Sequence, residues 1–299
     1  MGVALGLGAA LSWGLADYFA AVASRSAGAL RVVLGFHLAA LIPLTVLALA
    51  TDALAHVDAG EVAVFVAIGA VGWVSYLAFY GALAIGPISV LSPIVSGYAA
   101  VTVLLAVVLA GDHLSALQAV AVAITIAGAM LASADVREIA RAKLQRRSVL
   151  GFLLALCAMA LLGGFVFGVS YYRSSIGWLG PIFLARGFAA LFLAGNLLVA
   201  GGADPLPGGP EPTTDGADRA RATMLGLMGL LAVLDTGGYV CFNLGVGHAS
   251  TAVVAAASAP YAVVPIVMGV SLFAERPTRA QWLGVAFVIA GVIVLGALT

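Results

Sequence analysis

The sequence predicts an all-α integral membrane protein, with ten transmembrane helices arranged as two inverted five-helix repeats around a central cavity. Three observations support this prediction. Stretches of about twenty mostly apolar residues follow one another through nearly the whole 299-residue chain. Only 9% of the residues are charged, 63% are hydrophobic, and the mean hydropathy is +1.16. The two halves of the chain also share polar and aromatic residues at one fixed offset.

Each apolar stretch can cross a bilayer as a helix, because a hydrocarbon layer of about 30 Å needs roughly twenty residues. None alternates with a period of two, as the strands of a membrane barrel would. In the first half we expect helices near Val3–Ala23, Val32–Ala50, Val62–Leu83, Ser89–Ala110 and Leu114–Ala132. In the second half we expect them near Val149–Tyr172, Trp178–Ala200, Met224–Gly245, Thr251–Phe273 and Thr278–Leu298.

Two polar connections set the predicted organisation. A basic linker at residues 136–148 separates a first repeat, residues 1–135, from a second repeat, residues 149–299. Within the second repeat, residues 201–221 contain four prolines among glycines and acidic residues. Such a composition cannot bury enough apolar surface to fold compactly, so we expect this loop to be mobile.

The chain matches itself when it is shifted by 163 positions. This shift superposes aromatic, amide and glycine residues: Tyr76 on Tyr239, Phe79 on Phe242, Tyr98 on Tyr261, Gln118 on Gln281 and Gly128 on Gly291. Apolar coincidences are common in such a chain, but aromatic and amide coincidences at one offset indicate a duplication. Because each half has an odd number of helices, the second half enters the membrane upside down, as in many transporters.

The end of the chain carries a pattern of acid, threonine, glutamine, glycine, isoleucine and glycine, at Glu275, Thr278, Gln281, Gly284, Ile289 and Gly291. This pattern resembles the one that closes each half of the drug/metabolite transporter superfamily, in its EamA branch. Trp13 and Gly14 are similar to the opening motif of that family. The first half keeps Asp112, Gln118 and Gly128 but has Ser115 in place of the threonine. The resemblance implies a secondary transporter, commonly an exporter of amino acids or other small metabolites, that hydrolyses no nucleotide.

Four ionisable side chains fall inside predicted helices, where each needs a partner or a watery cavity; they are Asp17, His37, Arg186 and Asp235. Tyr239 and Asn243 follow Asp235 at spacings of four, so the three share one helix face. In the first repeat, the equivalent face carries Tyr76 and Tyr80. We expect both faces to line the cavity.

The sequence leaves the roles of these groups open. Asp235 either meets a substrate amine or carries a proton, or it forms a buried salt bridge. Arg186 is either its counter-charge or the group whose planar fork holds a substrate carboxylate. Asp17 shares a side of the first helix with Trp13, and it either faces the cavity with that ring or is solvated near the end of its span. His37 either exchanges protons near neutral pH or is a packing residue.

Tyr98 and Tyr261 are further candidates for the cavity wall. Pro260 precedes Tyr261, Pro265 follows it, and Pro93 lies in the equivalent region of the first repeat. Proline removes a backbone donor and loosens a helix, so these three positions are either hinges for alternating access or packing kinks.

Composition limits the other functional classes. The formal net charge of zero gives no basic surface for nucleic acid. Cys157 and Cys241 lie within predicted helices, so neither a disulfide framework nor a metal site is expected, and no cofactor motif is present. No sequence motif predicts an enzyme. The expected partners are a small organic solute and the lipid bilayer, and glycine spacings would also suit a homodimer.

We therefore expect a multi-pass protein of a cell membrane, of the bacterial inner-membrane type, that exports small metabolites. The alternatives are the export of cationic drugs or sugar-type solutes and, from a different class, an intramembrane enzyme. Basic residues of the linker indicate that it is cytoplasmic. With ten helices this places both termini outside the cytoplasm, whereas the resemblance implies cytoplasmic termini.

Overall fold

The computed structural model describes residues 1–55, 57–85, 94–133, 146–199, 217–264 and 278–298. Their α-helices are α1 Gly2–Ala27, α2 Ala29–Ala50, α3 Ala59–Ile85, α4 Tyr98–Leu109, α5 Ala116–Ser133, α6 Arg146–Tyr171, α7 Arg173–Ile176, α8 Leu179–Val199, α9 Ala217–Val246, α10 Thr251–Ser258 and α11 Arg279–Ala297. A 3-10 turn, Ala259–Val263, continues α10. These parts of the chain contain no β-strand.

Helix is found in each of the ten predicted segments. Among the described residues, seven helices are long and apolar enough to cross a membrane, and Ile94–Leu109 and Ala116–Ala132 form shorter apolar helices. The ninth predicted segment contains α10 and the 3-10 turn, and its remainder lies outside the described residues. Most of the basic linker and of the loop at 201–221 also lies outside them. Helix α9 begins at Ala217, ahead of the predicted start at Met224, because polar residues can extend a helix beyond its apolar part.

The motif that closes each half forms a helix start. At α11 the Thr278 hydroxyl accepts from the Gln281 N–H (3.3 Å), while the Gln281 side chain accepts from the Thr278 N–H (2.7 Å). Ser115 and Gln118 make the same reciprocal pair at α5, at 3.2 and 3.0 Å. Such a capping box satisfies two backbone donors that a helix start leaves free. Serine and threonine serve equally here, which explains why they replace each other between the halves.

Helices of one half pack on helices of the other. The first helix of the first half, α1, packs on α9 and α10, and the first helix of the second half, α6, packs on α3 and α4. Similarly, α2 packs on α9 as α8 packs on α3. Each contact therefore has a counterpart in which the halves exchange places, and the halves form one interlocked bundle.

A close backbone approach in this bundle joins α5 and α11, the last helices of the two halves. A Cβ atom on Gly128 would lie 2.9 Å from the carbonyl oxygen of Gly284, and one on Gly291 would lie 3.0 Å from that of Ala121. Glycine is needed because a side chain would push the two backbones apart. As numbers rise along α5, the partners in α11 fall, so the two helices are antiparallel.

Candidate functional site

A small chamber lies where the two halves meet. Its volume is about 40 Å³, which is room for about three water molecules and well below the roughly 300 Å³ of a typical small-molecule site. Ten side chains line it: Trp13, Asp17, Tyr76, Phe79, Tyr98, Leu162, Val166, Asp235, Tyr239 and Tyr261. The wall is therefore largely aromatic and carries two carboxylates.

Helix α1 contributes through Trp13 and Gly14, the dipeptide of the opening motif. The Trp13 indole N–H donates to the main-chain oxygen of Asp235 in α9 (3.2 Å). The indole lies against Gly238, where any side chain would collide with it. Gly14 lets α1 approach the main chain at Tyr261 equally closely. The motif thus fixes α1 to two elements of the other half.

Two repeat-equivalent tyrosines meet at the chamber wall. The hydroxyls of Tyr76 in α3 and Tyr239 in α9 are 3.2 Å apart and hydrogen-bonded. Tyr80 is buried and stacks on Tyr76, with ring centroids 6.2 Å apart. Asn243 is also buried, and its amide donates to the main-chain oxygen of Tyr239 (3.1 Å). Tyr80 and Asn243 therefore support lining residues but do not line the chamber themselves.

Arg186 and Asp235 form a buried ion pair in which Nη2 of Arg186 donates to Oδ2 of Asp235. The Arg186 guanidinium is only 2% exposed, does not line the chamber, and lies 5.3 Å from the ring centroid of Tyr239. Its Nε and Nη1 atoms have no hydrogen-bond partner among the described residues. The sequence left two roles open for Arg186, and this geometry is that of the counter-charge to Asp235.

Asp17 lies one turn beyond Trp13 and lines the chamber. Asp235, Tyr98 and Tyr261 line the same chamber. Within the described part of the chain its carboxylate has neither a hydrogen bond nor an ion pair. Asp17 is partly buried, and a partly buried carboxylate without a protein partner is favourable only where water or a solute in the chamber can solvate it.

The second equivalent tyrosine pair lies on another wall. Tyr98 and Tyr261 have ring centroids 5.6 Å apart, and the Tyr98 hydroxyl is 3.1 Å from that of Ser258. Pro260 lies in the 3-10 turn just before Tyr261, where its missing N–H interrupts the regular helix. Pro93 and Pro265, the other predicted hinges, lie outside the described residues.

His37 is fully buried and stands behind the chamber wall, in edge contact with the Tyr76 ring (4.9 Å between centroids). Its Nδ1 atom is 2.9 Å from the main-chain oxygen of Val33, and Nε2 has no partner among the described residues. These contacts fit a packing role for His37 at least as well as a role in proton exchange.

Sequence reasoning did not find Phe79, Leu162 and Val166. Gly163 in α6 contacts the main chain at Tyr98 just as Gly14 in α1 contacts it at Tyr261, so the two glycines are equivalent. That equivalence, at an offset of 149 positions, pairs Trp13 with Leu162 and Asp17 with Val166. This second offset is the sequence signal that could have predicted Leu162 and Val166 as lining residues. The same offset pairs His37 with Arg186.

The described residues contain no group of three His, Cys, Asp or Glu side chains that could hold a metal ion. What remains is an apolar helical bundle with a small, largely aromatic chamber that two carboxylates line. This arrangement is typical of membrane proteins that carry small solutes.

Comparison with known proteins identifies the family. Residues 1–134 and 149–297 match the EamA-like transporter family, so the chain belongs to this family of membrane transporters within the drug/metabolite transporter superfamily. A solved structure titled "Crystal structure of protein" is similar over 99% of this chain and 96% of its own, with a TM-score of 0.72 and 15% identity. At that identity the likeness shows the fold alone. No curated protein matches the chain.

Proposed function

We propose that this protein is a secondary-active transporter that exports small metabolites, with amino acids as the first class to test, by alternating access through the chamber. The observation that carries the proposal is the chamber itself, which is lined by helices of both halves and carries a carboxylate, Asp17, without a partner among the described residues. A purely structural interior would be better served by apolar side chains, because isolated buried charge is costly.

We further propose that the chain forms two inverted five-helix repeats, residues 1–135 and 149–299. The support is the exchange of contacts between halves and the antiparallel packing of α5 and α11. An inverted duplication requires equivalent helices of the two halves to run in opposite directions, as α5 and α11 do. Tyr76 contacts Tyr239, and Tyr98 contacts Tyr261, as expected of residues beside an axis that relates the halves.

Alternating access then follows from the size of the chamber. At about 40 Å³ it is too small for most organic metabolites, so transport requires states in which it widens towards one membrane face. The two tyrosine pairs are contacts between the halves, and each is weak enough to break and re-form. Tyr76 and Tyr239 share a hydrogen bond worth about 1 kcal/mol, and the ring contact between Tyr98 and Tyr261 is worth about 0.5–1.5 kcal/mol. In this mechanism Pro260 is a hinge, because the 3-10 turn there already departs from α-helix.

The proposed substrate-contacting residues are those of the predicted set that line the chamber: Trp13, Asp17, Tyr76, Tyr98, Asp235, Tyr239 and Tyr261. Arg186, Tyr80 and Asn243 hold three of these in position. Asp17 and Asp235 are the proposed proton carriers, because both reach the chamber. His37 does not line it and is the weaker candidate for that role.

The test is counterflow in liposomes containing the purified protein. Vesicles preloaded with an unlabelled amino acid should take up the labelled one faster than empty vesicles, with a rate that saturates. Protein-free vesicles are the control. Uptake that rises linearly with concentration and ignores preloading would indicate a channel, and no uptake of any amino acid, amine or sugar by folded protein would refute a carrier function.

A further inference from the structure

We propose that the chamber recognises organic cations, with Asp17 binding the ammonium group of an amine whose apolar body lies against Leu162 and Val166. The site would therefore prefer an amine to the corresponding α-amino acid. This inference rests on the transport function proposed above and, within small metabolites, puts amines ahead of amino acids as the substrate class.

The first step is the charge of the chamber. Arg186 and Asp235 neutralise each other, so Asp17 is the charge left over among the lining side chains. It has no protein partner within the described residues. A cation that enters the chamber would supply the missing partner, and a charge-assisted hydrogen bond to a carboxylate is among the stronger polar contacts.

The second step is the aromatic wall beside Asp17. Trp13 precedes it by one turn, and the Trp13 ring is in edge contact with Tyr98 (6.2 Å between centroids), which in turn lies 5.6 Å from Tyr261. Aromatic faces attract ammonium groups through their quadrupole. A carboxylate surrounded by such rings is therefore suited to an organic cation more than to a neutral polar solute.

The third step is the opposite wall. Leu162 and Val166 occupy the positions equivalent to Trp13 and Asp17, but they carry no polar group. A solute with a cationic end and an apolar end would match both walls at once. A diamine, charged at both ends, would leave one ammonium against aliphatic side chains.

The last step concerns the carboxylate of an amino acid. The nearby cation is Arg186, but its guanidinium is already bound to Asp235 and does not line the chamber. A substrate carboxylate would instead meet Asp17 and Asp235, and like charges disfavour each other. Removing that carboxylate should therefore improve binding.

The experiment compares phenethylamine with phenylalanine, which differ only by a carboxylate. Binding is measured by calorimetry on the full chain in lipid nanodiscs, and exchange is measured in liposomes. We expect phenethylamine to bind at least about 10-fold more tightly than phenylalanine, and Asp17→Asn to weaken its binding about 10- to 100-fold. Asp58→Asn, at an exposed helix start away from the chamber, is the matched control and should bind as the unaltered protein does. Asp17→Glu keeps the charge and should retain much of the affinity.

The outcomes separate the two proposals. Equal or tighter binding of phenylalanine, or unchanged phenethylamine binding by Asp17→Asn, would overturn the amine site even if amino acids are exchanged. Asp17-dependent binding without any exchange would uphold the site and count against transport. If Asp17→Asn does not fold, the proposal is still tested by the preference of the unaltered protein for phenethylamine over phenylalanine and by the affinity of the Asp17→Glu variant.

Discussion

Replacing the buried ion pair by apolar residues should reveal an asymmetry between its partners. In Asp235→Leu, the Arg186 guanidinium keeps its charge, loses its acceptor and has no access to the chamber. Breaking a buried pair in this way costs about 3–5 kcal/mol of folding stability. In Arg186→Met, by contrast, Asp235 still lines the chamber, where water can solvate its carboxylate. The expected cost is then about 1–3 kcal/mol.

The double variant Arg186→Met/Asp235→Leu completes the cycle. Neither charge remains, and apolar replacements of a buried pair are often close to neutral. The double variant should therefore be more stable than Asp235→Leu alone, and the two single losses together should exceed that of the double variant by about 4–8 kcal/mol, which is the coupling between the two sites.

The assay is equilibrium unfolding in mixed micelles of rising SDS content, followed by circular dichroism. Additive losses would show that the two side chains do not depend on each other. A greater loss for Arg186→Met than for Asp235→Leu would refute the argument from access to the chamber. Transport is a separate readout, and we expect the double variant to fold without transporting.

Three further predictions can be checked by the same unfolding assay. Gly284→Ala should lower stability by about 1–3 kcal/mol because its Cβ atom would meet the backbone of α5, whereas Gly195→Ala, which has no neighbour within 4 Å, should cost nothing. Equal effects of the two would contradict close packing of α5 and α11. Tyr76→Phe should cost about 0.5–1.5 kcal/mol through its lost hydrogen bond to Tyr239, and the variant with both tyrosines replaced by Phe should cost no more than the two singles together. Thr278→Ala should cost about 0.5–2 kcal/mol through loss of the capping box, while Thr278→Ser should retain most of the stability.

The apolar runs predicted where helices lie because a bilayer selects segments by length and polarity alone. The match between the two halves of the sequence was visible at a shift of 163 positions for the last three predicted helices of each half. The match was hidden in the first two helices, whose offset is 149, because the second half has more residues between its second and third helices. For this reason Leu162 and Val166 could not be matched with Trp13 and Asp17.

Which polar groups line the chamber was harder to predict than which helices carry them. Residues spaced by four share a helix face only approximately, since a helix turns about 100° per residue and each step of four drifts by about 40°. Asn243, two steps from Asp235, is thus turned away from the chamber. The sequence left the partner of Arg186 open because it does not fix how α8 is rotated relative to α9.

Tyr76 contacts Tyr239 and Tyr98 contacts Tyr261, so residues in equal positions of the two halves meet each other. Two separate copies of one half could build the same contacts, but such a dimer would carry every chamber residue twice. An aspartate at the position of Asp17 would then bring a second, equally uncompensated carboxylate into the same small space. Joining the halves in one chain removes this restriction, because each half can change alone. The aspartate at position 17 and the valine at position 166 are a pair that two identical copies could not have.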